Sequence, residues 1–402
     1  MDALRFHGGT FKLMQITDTQ EHHRVNPDTV KLIWLALARE QPDLVVLTGD
    51  QIAGYSPSFR GDTKRKITET LDTLLQPFDE FGVPFCMTFG NHDNNCGIEN
   101  KAQMPIYRAH PTFLSGTPRS EDDPGTLSLT LKSADGKRDV FALYLIDSGG
   151  KNPDGSYAAV KKEQIEWFKS EHERLSAGGD PLPSLVFQHI PLPEYYSVLK
   201  RVPKGTKGAV EAFFDHAGEF YVLPESAVAR GDFMRESPAA PPVNTGEFAA
   251  LKEKGGVLGV FCGHDHINSF VLPLDGMDLG YTQGCGFHVY GPGRQRGVRV
   301  FTLHENDPTR YETKTVTMAD LSDDPPAEPL MEFILQHMPA SAQPVIRAAK
   351  RAGAVVLGAA AAAIVFKRLN KAKQKGHGST VPFFYGSFTI CFLHIRRMRT
   401  YP

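Results

Sequence analysis

A chain of 402 residues with 41% hydrophobic and 22% charged side chains is long enough to bury a large core, which excludes a disordered or fibrous protein. Its formal net charge of -2 provides no basic field, so nucleic acid is not an expected partner. The five cysteines, Cys86, Cys96, Cys262, Cys285 and Cys391, are widely spaced without a CxxC pair, which argues against a zinc ribbon and a disulfide framework.

Residues 1–10 carry charges and no apolar stretch, so no signal peptide is expected and an intracellular location, cytoplasmic or membrane-associated, is the working expectation. Phe11 to Thr17 predicts a strand ending at Asp18-Thr19-Gln20. Pro27 opens a predicted helix to about Glu40, with Val30, Ile33, Trp34 and Leu37 on one face. The run Leu44-Val45-Val46-Leu47-Thr48 then reads as a strand covered on both faces, and Gly49 lets the backbone turn to present Asp50. A second amphipathic helix is expected from Thr63 to Phe81, striped by Ile67, Leu71, Leu74, Leu75, Phe78 and Phe81. Pro84 to Phe89 predicts the next strand, which ends in Gly90-Asn91-His92-Asp93.

Thr126 to Leu131 and Val140 to Ile146 flank Ala134-Asp135-Gly136-Lys137, a hairpin signal. Lys161 to Ser176 reads as a helix anchored by Ile165, Trp167, Phe168 and Leu175, and Ser184 to Gln188 as a strand ending at His189. From Pro191 to Thr245 the chain is rich in Pro, Gly and aromatic residues without period, which suits an insertion over a site better than a core element. Val257 to Cys262 predicts a last central strand delivering Gly263-His264-Asp265-His266, and Ile267 to Met318 a closing antiparallel sheet. Residues 1–318 therefore form the expected main domain. An acidic, Pro-containing linker and helix follow over 319–351, an Ala-rich apolar segment over 352–366, and a basic tail over 367–402. The apolar segment has 15 uncharged residues between basic pairs, short of the roughly 20 that span a bilayer, and reads either as a marginal membrane contact extended by its flanking basic residues or as an Ala-rich helix packed on the domain or free in solution.

Five strand-like runs each end in a metal-ligating side chain: Asp18, Asp50, Asn91, His189, and His264 with His266. Side chains at the carboxyl ends of neighbouring strands meet in one crevice, the usual ligand site of open α/β folds. Carboxylate, amide oxygen and imidazole together suit Mn, Fe or Zn. The ordered blocks DTQ, GDQ, GNHD, QHIPLPEYY and GHDH resemble the calcineurin-like metallophosphoesterases, and HIPLPE with GHDHIN and GCGFHVYG resembles their purple-acid-phosphatase-like branch of plants and fungi.

That resemblance implies a four-layer α/β/β/α sandwich and two divalent or trivalent metal ions at the strand carboxyl ends. Asp18, Asp50 and His266 would hold one metal, and Asp50, Asn91, His189 and His264 the other. His92 would protonate or stabilise the leaving oxygen with Asp93 orienting its ring, and a metal-bound hydroxide would attack phosphorus. His288 becomes a candidate substrate contact, while Arg294 and Arg296 are expected to be solvated. The implied activity is hydrolysis of a phosphomonoester, borne by a small molecule or a protein. The alternatives are phosphodiester hydrolysis at the same centre, or a catalytically weak metal-binding scaffold tethered by its C-terminal helix. Two positions depart from the pattern. Gln20 stands where the family places a metal-binding histidine, with His22 and His23 as substitutes in reach of sequence. Ala53 replaces the tyrosine of the coloured enzymes, so no iron-tyrosinate band is expected.

Overall fold

The computed structural model describes residues 4–177 and 179–339. In chain order the strands are β1 Thr10–Ile16, β2 Leu44–Thr48, β3 Phe85–Thr88, β4 Thr117–Ser120, β5 Asp123–Lys132, β6 Asp139–Ile146, β7 Ser184–Gln188, β8 Lys200–Val202, β9 Val210–Glu211, β10 Phe220–Val222, β11 Phe233–Met234, β12 Val257–Cys262, β13 Asn268–Leu274, β14 Met277–Tyr281, β15 Gly297–His304 and β16 Tyr311–Thr317. The α-helices are α1 Pro27–Glu40, α2 Thr63–Phe81, α3 Asn100–Arg108, α4 Lys162–Leu175, α5 Glu225–Ala229, α6 Glu247–Lys254, α7 Met318–Leu321 and α8 Pro329–His337.

Two sheets face each other. One has the order β16-β15-β1-β2-β3 and the other β11-β13-β14-β12-β7-β6-β5-β4, while β8-β10-β9 form a small third sheet. Side-chain parity along β2 shows how the layers are made: Leu44 and Val46 pack between the two large sheets with Phe11, Leu13, Leu143, Phe187 and Phe301, whereas Val45 and Leu47 pack outward on α1 and α2 with Leu32, Ile33, Leu71 and Phe78. The outer face of the second sheet is covered by α4 and α6 through Ile165, Phe168, Phe248 and Leu251. The expected α/β/β/α sandwich is thus observed, built on three apolar clusters. Complete burial of each Leu or Phe in them contributes on the order of 1.5–3 kcal/mol.

Local chemistry sets the element ends. The Asn26 side chain accepts from the Asp28 amide ahead of Pro27, and Gly82 closes α2 in the left-handed region at φ 63°. Helix α1 is turned from the expected face: Leu32, Ile33, Ala36 and Leu37 are buried, while Trp34 lies outside, edge-on to Phe81 with ring centroids 5.2 Å apart. The β5/β6 hairpin forms as expected, pairing Leu127 with Leu145. The closing sheet does not form as one unit. The β13/β14 hairpin joins the second sheet, with β14 parallel to β12, and the β15/β16 hairpin joins the first through β1. An alternating apolar pattern states that a strand has one buried face and not which sheet it joins. The 191–245 insertion is also partly core, since Tyr195, Tyr196, Tyr221 and Leu223 pack on the second sheet.

The acidic segment after β16 is held against the main body: Lys31 pairs with Asp324 at 2.6 Å, and the Ala327 amide donates to Asp28 at 2.7 Å. Arg296, expected at the surface, is fully buried, donating to the carbonyls of Gly286 and Val289 and facing Glu332 of α8 at 3.5 Å. The membrane expectation is corrected: among the described residues no helix is long and apolar enough to cross a membrane. Residues 352–366, from which that contact was drawn, lie outside the described residues, as does 367–402.

Candidate metal centre

Strands β1, β2 and β3 run parallel in one sheet and β7 and β12 run parallel in the other, so their carboxyl ends open on the same edge of the sandwich. The loops leaving them are bonded to one another: the Gln20 amide donates to Asp50 at 2.8 Å, Gly263 to His189 at 3.2 Å, and Gly286 to Asp18 at 3.0 Å. Four of the residues carried by these loops, Asp18, Gln20, Asp50 and His264, adopt positive φ of 53°, 38°, 54° and 73°. Each such turn costs on the order of 1–3 kcal/mol without glycine, and such strain concentrates where surrounding contacts force a functional geometry. Glycine allows the close approach nearby. A Cβ on Gly49, itself at φ 95°, would lie 2.6 Å from the Gly90 amide nitrogen, and one on Gly90 would overlap the Asp50 carboxylate.

The six sequence-predicted ligands converge, all of them buried. His189 Nε2 lies 3.3 Å from Asp50 Oδ2, 4.0 Å from Asp18 Oδ1, 3.2 Å from Asn91 Oδ1 and 3.3 Å from His264 Nδ1. His266 Nε2 lies 3.2 Å from Asp18 Oδ1. Side-chain donor atoms of Asp18, Asp50 and His189 all fall within 4.8 Å of one another, close enough to hold a metal ion between them. The chemistry of the donors supports the fit. A carbonyl can only accept, so His189 Nδ1 donates to Thr48 O at 3.0 Å and His266 Nδ1 to Tyr290 O at 3.0 Å. The neutral rings then aim Nε2 lone pairs at carboxylate and amide oxygens, and Asp18 Oδ1 and His264 Nε2 have no hydrogen-bond partner. Lone pairs facing lone pairs call for a cation. The same oxygens act on the ring's titration: burial by itself would lower the His189 pKa, but the Asp50 and Asp18 carboxylates outweigh it and push it up to about 10.

Gln20 takes an active part in the site. Its Nε2 donates to Asp50 Oδ2 at 2.7 Å and lies 3.2 Å from His266 Nε2, while the exposed Tyr55 reaches Gln20 Oε1 at 3.4 Å. Neither substitute fills in for the missing imidazole. His23 pairs with Glu69 at 2.8 Å, and His22 stacks on His288 at 4.7 Å.

His92 is placed beside the centre, its amide donating to Asp50 Oδ1 at 2.7 Å. Its ring is oriented by Asn95, whose Oδ1 lies 2.9 Å from His92 Nδ1. Asp93, expected in that role, is instead buried beneath the loop and accepts the amides of Asp50, Ile52 and Gly90 at 2.9, 3.1 and 2.8 Å. Burial, then repulsion from Asp50, push its carboxyl up to about 7. Asp265 is structural, accepting Tyr281 Oη at 2.5 Å and the Ala239 amide at 3.0 Å. His288 has its Nδ1 committed to the buried Glu21 at 2.7 Å.

Sequence reasoning missed Asn95, Tyr290, which stacks on His266 at 4.3 Å, and Tyr157, which stands edge-on to His264 at 4.3 Å. The Asn95 signal was available in its i+3 spacing from His92, and Tyr290 lies in the GCGFHVYG segment two residues after His288, whereas Tyr157 sits in an aperiodic loop.

A four-layer sandwich with aspartates, an asparagine and histidines gathered at strand carboxyl ends is the arrangement of the calcineurin-like fold. Residues 11–268 match the family model described as calcineurin-like phosphoesterase, and the chain belongs to that family. It is 29% identical over 337 residues, 74% of this chain and 76% of the relative, to "Probable inactive purple acid phosphatase 14" of Arabidopsis thaliana. Similarity to "Probable inactive purple acid phosphatase 29" of the same plant is 29% over 342 residues, 75% of this chain and 79% of that one. "Phosphatase DCR2" of Saccharomyces cerevisiae is 25% identical over 333 residues, 74% of this chain and 52% of that longer protein.

Proposed function

We propose that this protein binds metal at an unequal pair of sites and recognises phosphoesters there, with hydrolysis weak in the native sequence. Asp50, Asn91, His189 and His264 would hold the stronger metal. Asp18, Asp50 and His266 would hold the weaker, with Gln20 supplying only a neutral amide in place of an imidazole. The observation that carries this reading is the Gln20 amide, which donates to Asp50 Oδ2 at 2.7 Å and so occupies a lone pair that the second metal would need. The nitrogen and oxygen donor set favours Mn, Fe or Zn. Metals held there would supply Lewis acidity to a phosphoryl group and counter the charge developing on it. His92, with Nδ1 held by Asn95, would in its protonated form present Nε2–H to a leaving oxygen. The names of the two plant relatives support weak turnover.

The second reading is a full phosphatase acting on phosphomonoesters, phosphoproteins included. It is favoured by retention of all six remaining ligands together with His92, and by the yeast relative's name. A phosphodiesterase would use the same residues with different pocket walls.

Metal analysis with hydrolysis of an aryl phosphate, on the native protein and on Gln20→His, tests the choice. One tightly held metal and slow turnover are expected for the native chain; two metals and roughly ten-fold faster turnover are expected for the variant. Two tight metals and rapid hydrolysis in the native chain would replace this reading with the second.

A further inference from the structure

Outside the ligand set, one run of side chains leads from the metal-facing imidazoles to solvent. Residues 148–158 form a tight loop in which Lys151 bridges to Tyr157 and the Ala158 amide donates to Gly150 O at 2.8 Å. A Cβ on Gly150 would lie 3.9 Å from Asn91 Cα, so the loop rests against the centre. It places the Tyr157 ring edge-on to His264, centroids 4.3 Å apart at 85°, and the same ring meets Phe214 at 5.8 Å and 87°. Lys151 Nζ stands 5.6 Å over the Tyr157 ring.

Phe214 is the anomalous member. It is 38% exposed and holds a left-handed φ of 47°. A bulky residue rarely adopts that conformation, and burial of its ring in the core does not account for it here. The turn that imposes it, Phe214–His216 between β9 and β10, belongs to the 191–245 insertion and has no other tie to the ligand set than this ring contact with Tyr157 among the described residues.

The geometry points to Tyr157 and Phe214 as the wall that selects an aromatic ester group, making aryl phosphates the substrate class. This rests on the phosphoester-recognition reading above. A phosphate seated at the centre would send its ester substituent past Tyr157 toward Phe214. A ring there gains edge or offset contacts with both, whereas an alkyl group gains area alone. Lys151 adds positive charge at the rim, favouring the dianionic phosphate over a neutral competitor.

The test is calorimetric binding to metal-loaded protein of inorganic phosphate, methylphosphonate and phenylphosphonate, which do not require turnover. Phenylphosphonate is expected to bind more tightly than methylphosphonate. Phe214→Ala should weaken phenylphosphonate about five-fold and leave methylphosphonate and phosphate unchanged, and Phe214→Tyr should restore the preference. A peptide bearing a non-hydrolysable phosphotyrosine mimic that binds more tightly than phenylphosphonate would identify a protein source for the ring; equal binding would identify a small molecule. Equal affinity for the phenyl and methyl compounds, or a Phe214→Ala loss shared by all three ligands at unchanged melting temperature, overturns the wall while the metal centre stands. Failure of inorganic phosphate to bind overturns the metal-centre reading and this one with it.

Discussion

Gln20 shows how one side chain can unbalance a centre whose other members are all in place. An imidazole and a carboxamide both offer a donor to Asp50, but only the imidazole offers a strong lone pair to a metal. A second residue-scale effect lies away from the centre, at the start of α6. Glu247 is buried with Oε1 unpartnered, and burial, reinforced by the Glu194 carboxylate, pushes its carboxyl from 4.5 up to about 8. A folded-state pKa above the unfolded one means that the native protein keeps a proton the unfolded chain releases. The stability this contributes is complete below about pH 4.5 and is lost as pH rises through about 8. Glu247→Gln removes that titration and keeps the shape. The variant is expected to gain a few kcal/mol relative to the native protein between pH 5 and pH 9, read by urea unfolding at both pH values. An unchanged difference across that range would show that Glu247 is ionised in the native state.

At the scale of elements, the site is made by turns rather than by strands. Strands β2 and β3 bring Gly49 and Gly90 to within contact of each other, and the Asp50 carboxylate fills the space where a Gly90 side chain would begin. Gly90→Ala should therefore displace Asp50, costing about 2–3 kcal/mol of stability in urea unfolding and abolishing tight metal binding by titration. Retention of both would show that the loop yields easily. The short apolar runs made these strands visible in sequence, and Gly-Asp, Gly-Asn-His and Gly-His endings marked where they turn. The resemblance implied that Asp93 orients the His92 ring, and the structure places it elsewhere. The fold uses it to collect three amides from two loops, and Asn95 takes the ring instead.

At the scale of the whole molecule, the centre joins the two sheets: Asp18, Asp50 and Asn91 come from one, and His189, His264 and His266 from the other. A metal bound there ties the halves of the sandwich together and stabilises the native state by mass action. At a free metal concentration 100-fold above its Kd, stabilisation of about 2.7 kcal/mol is expected. Chelation should lower the melting temperature by a few degrees, and readdition of metal should restore it. A melting temperature indifferent to chelator would show that no ion occupies the site under those conditions.

The sequence by itself determined the α/β class, the order of the strands that end in candidate ligands, and the identity of the six side chains that converge, while the four-layer arrangement was implied by the resemblance of the ordered blocks. These depend on local rules, namely apolar period, glycine at turns, and residue types with lone pairs to offer. Only the tertiary structure decided which sheet each closing hairpin joins, that Arg296 is buried against carbonyls and Glu332, and that His92 leans on Asn95. It also decided that Gln20 donates to Asp50 and that Phe214 meets Tyr157 beside the centre. The physical reason is that these contacts join residues without a shared period, and their partners are set by how separate loops pack against one another.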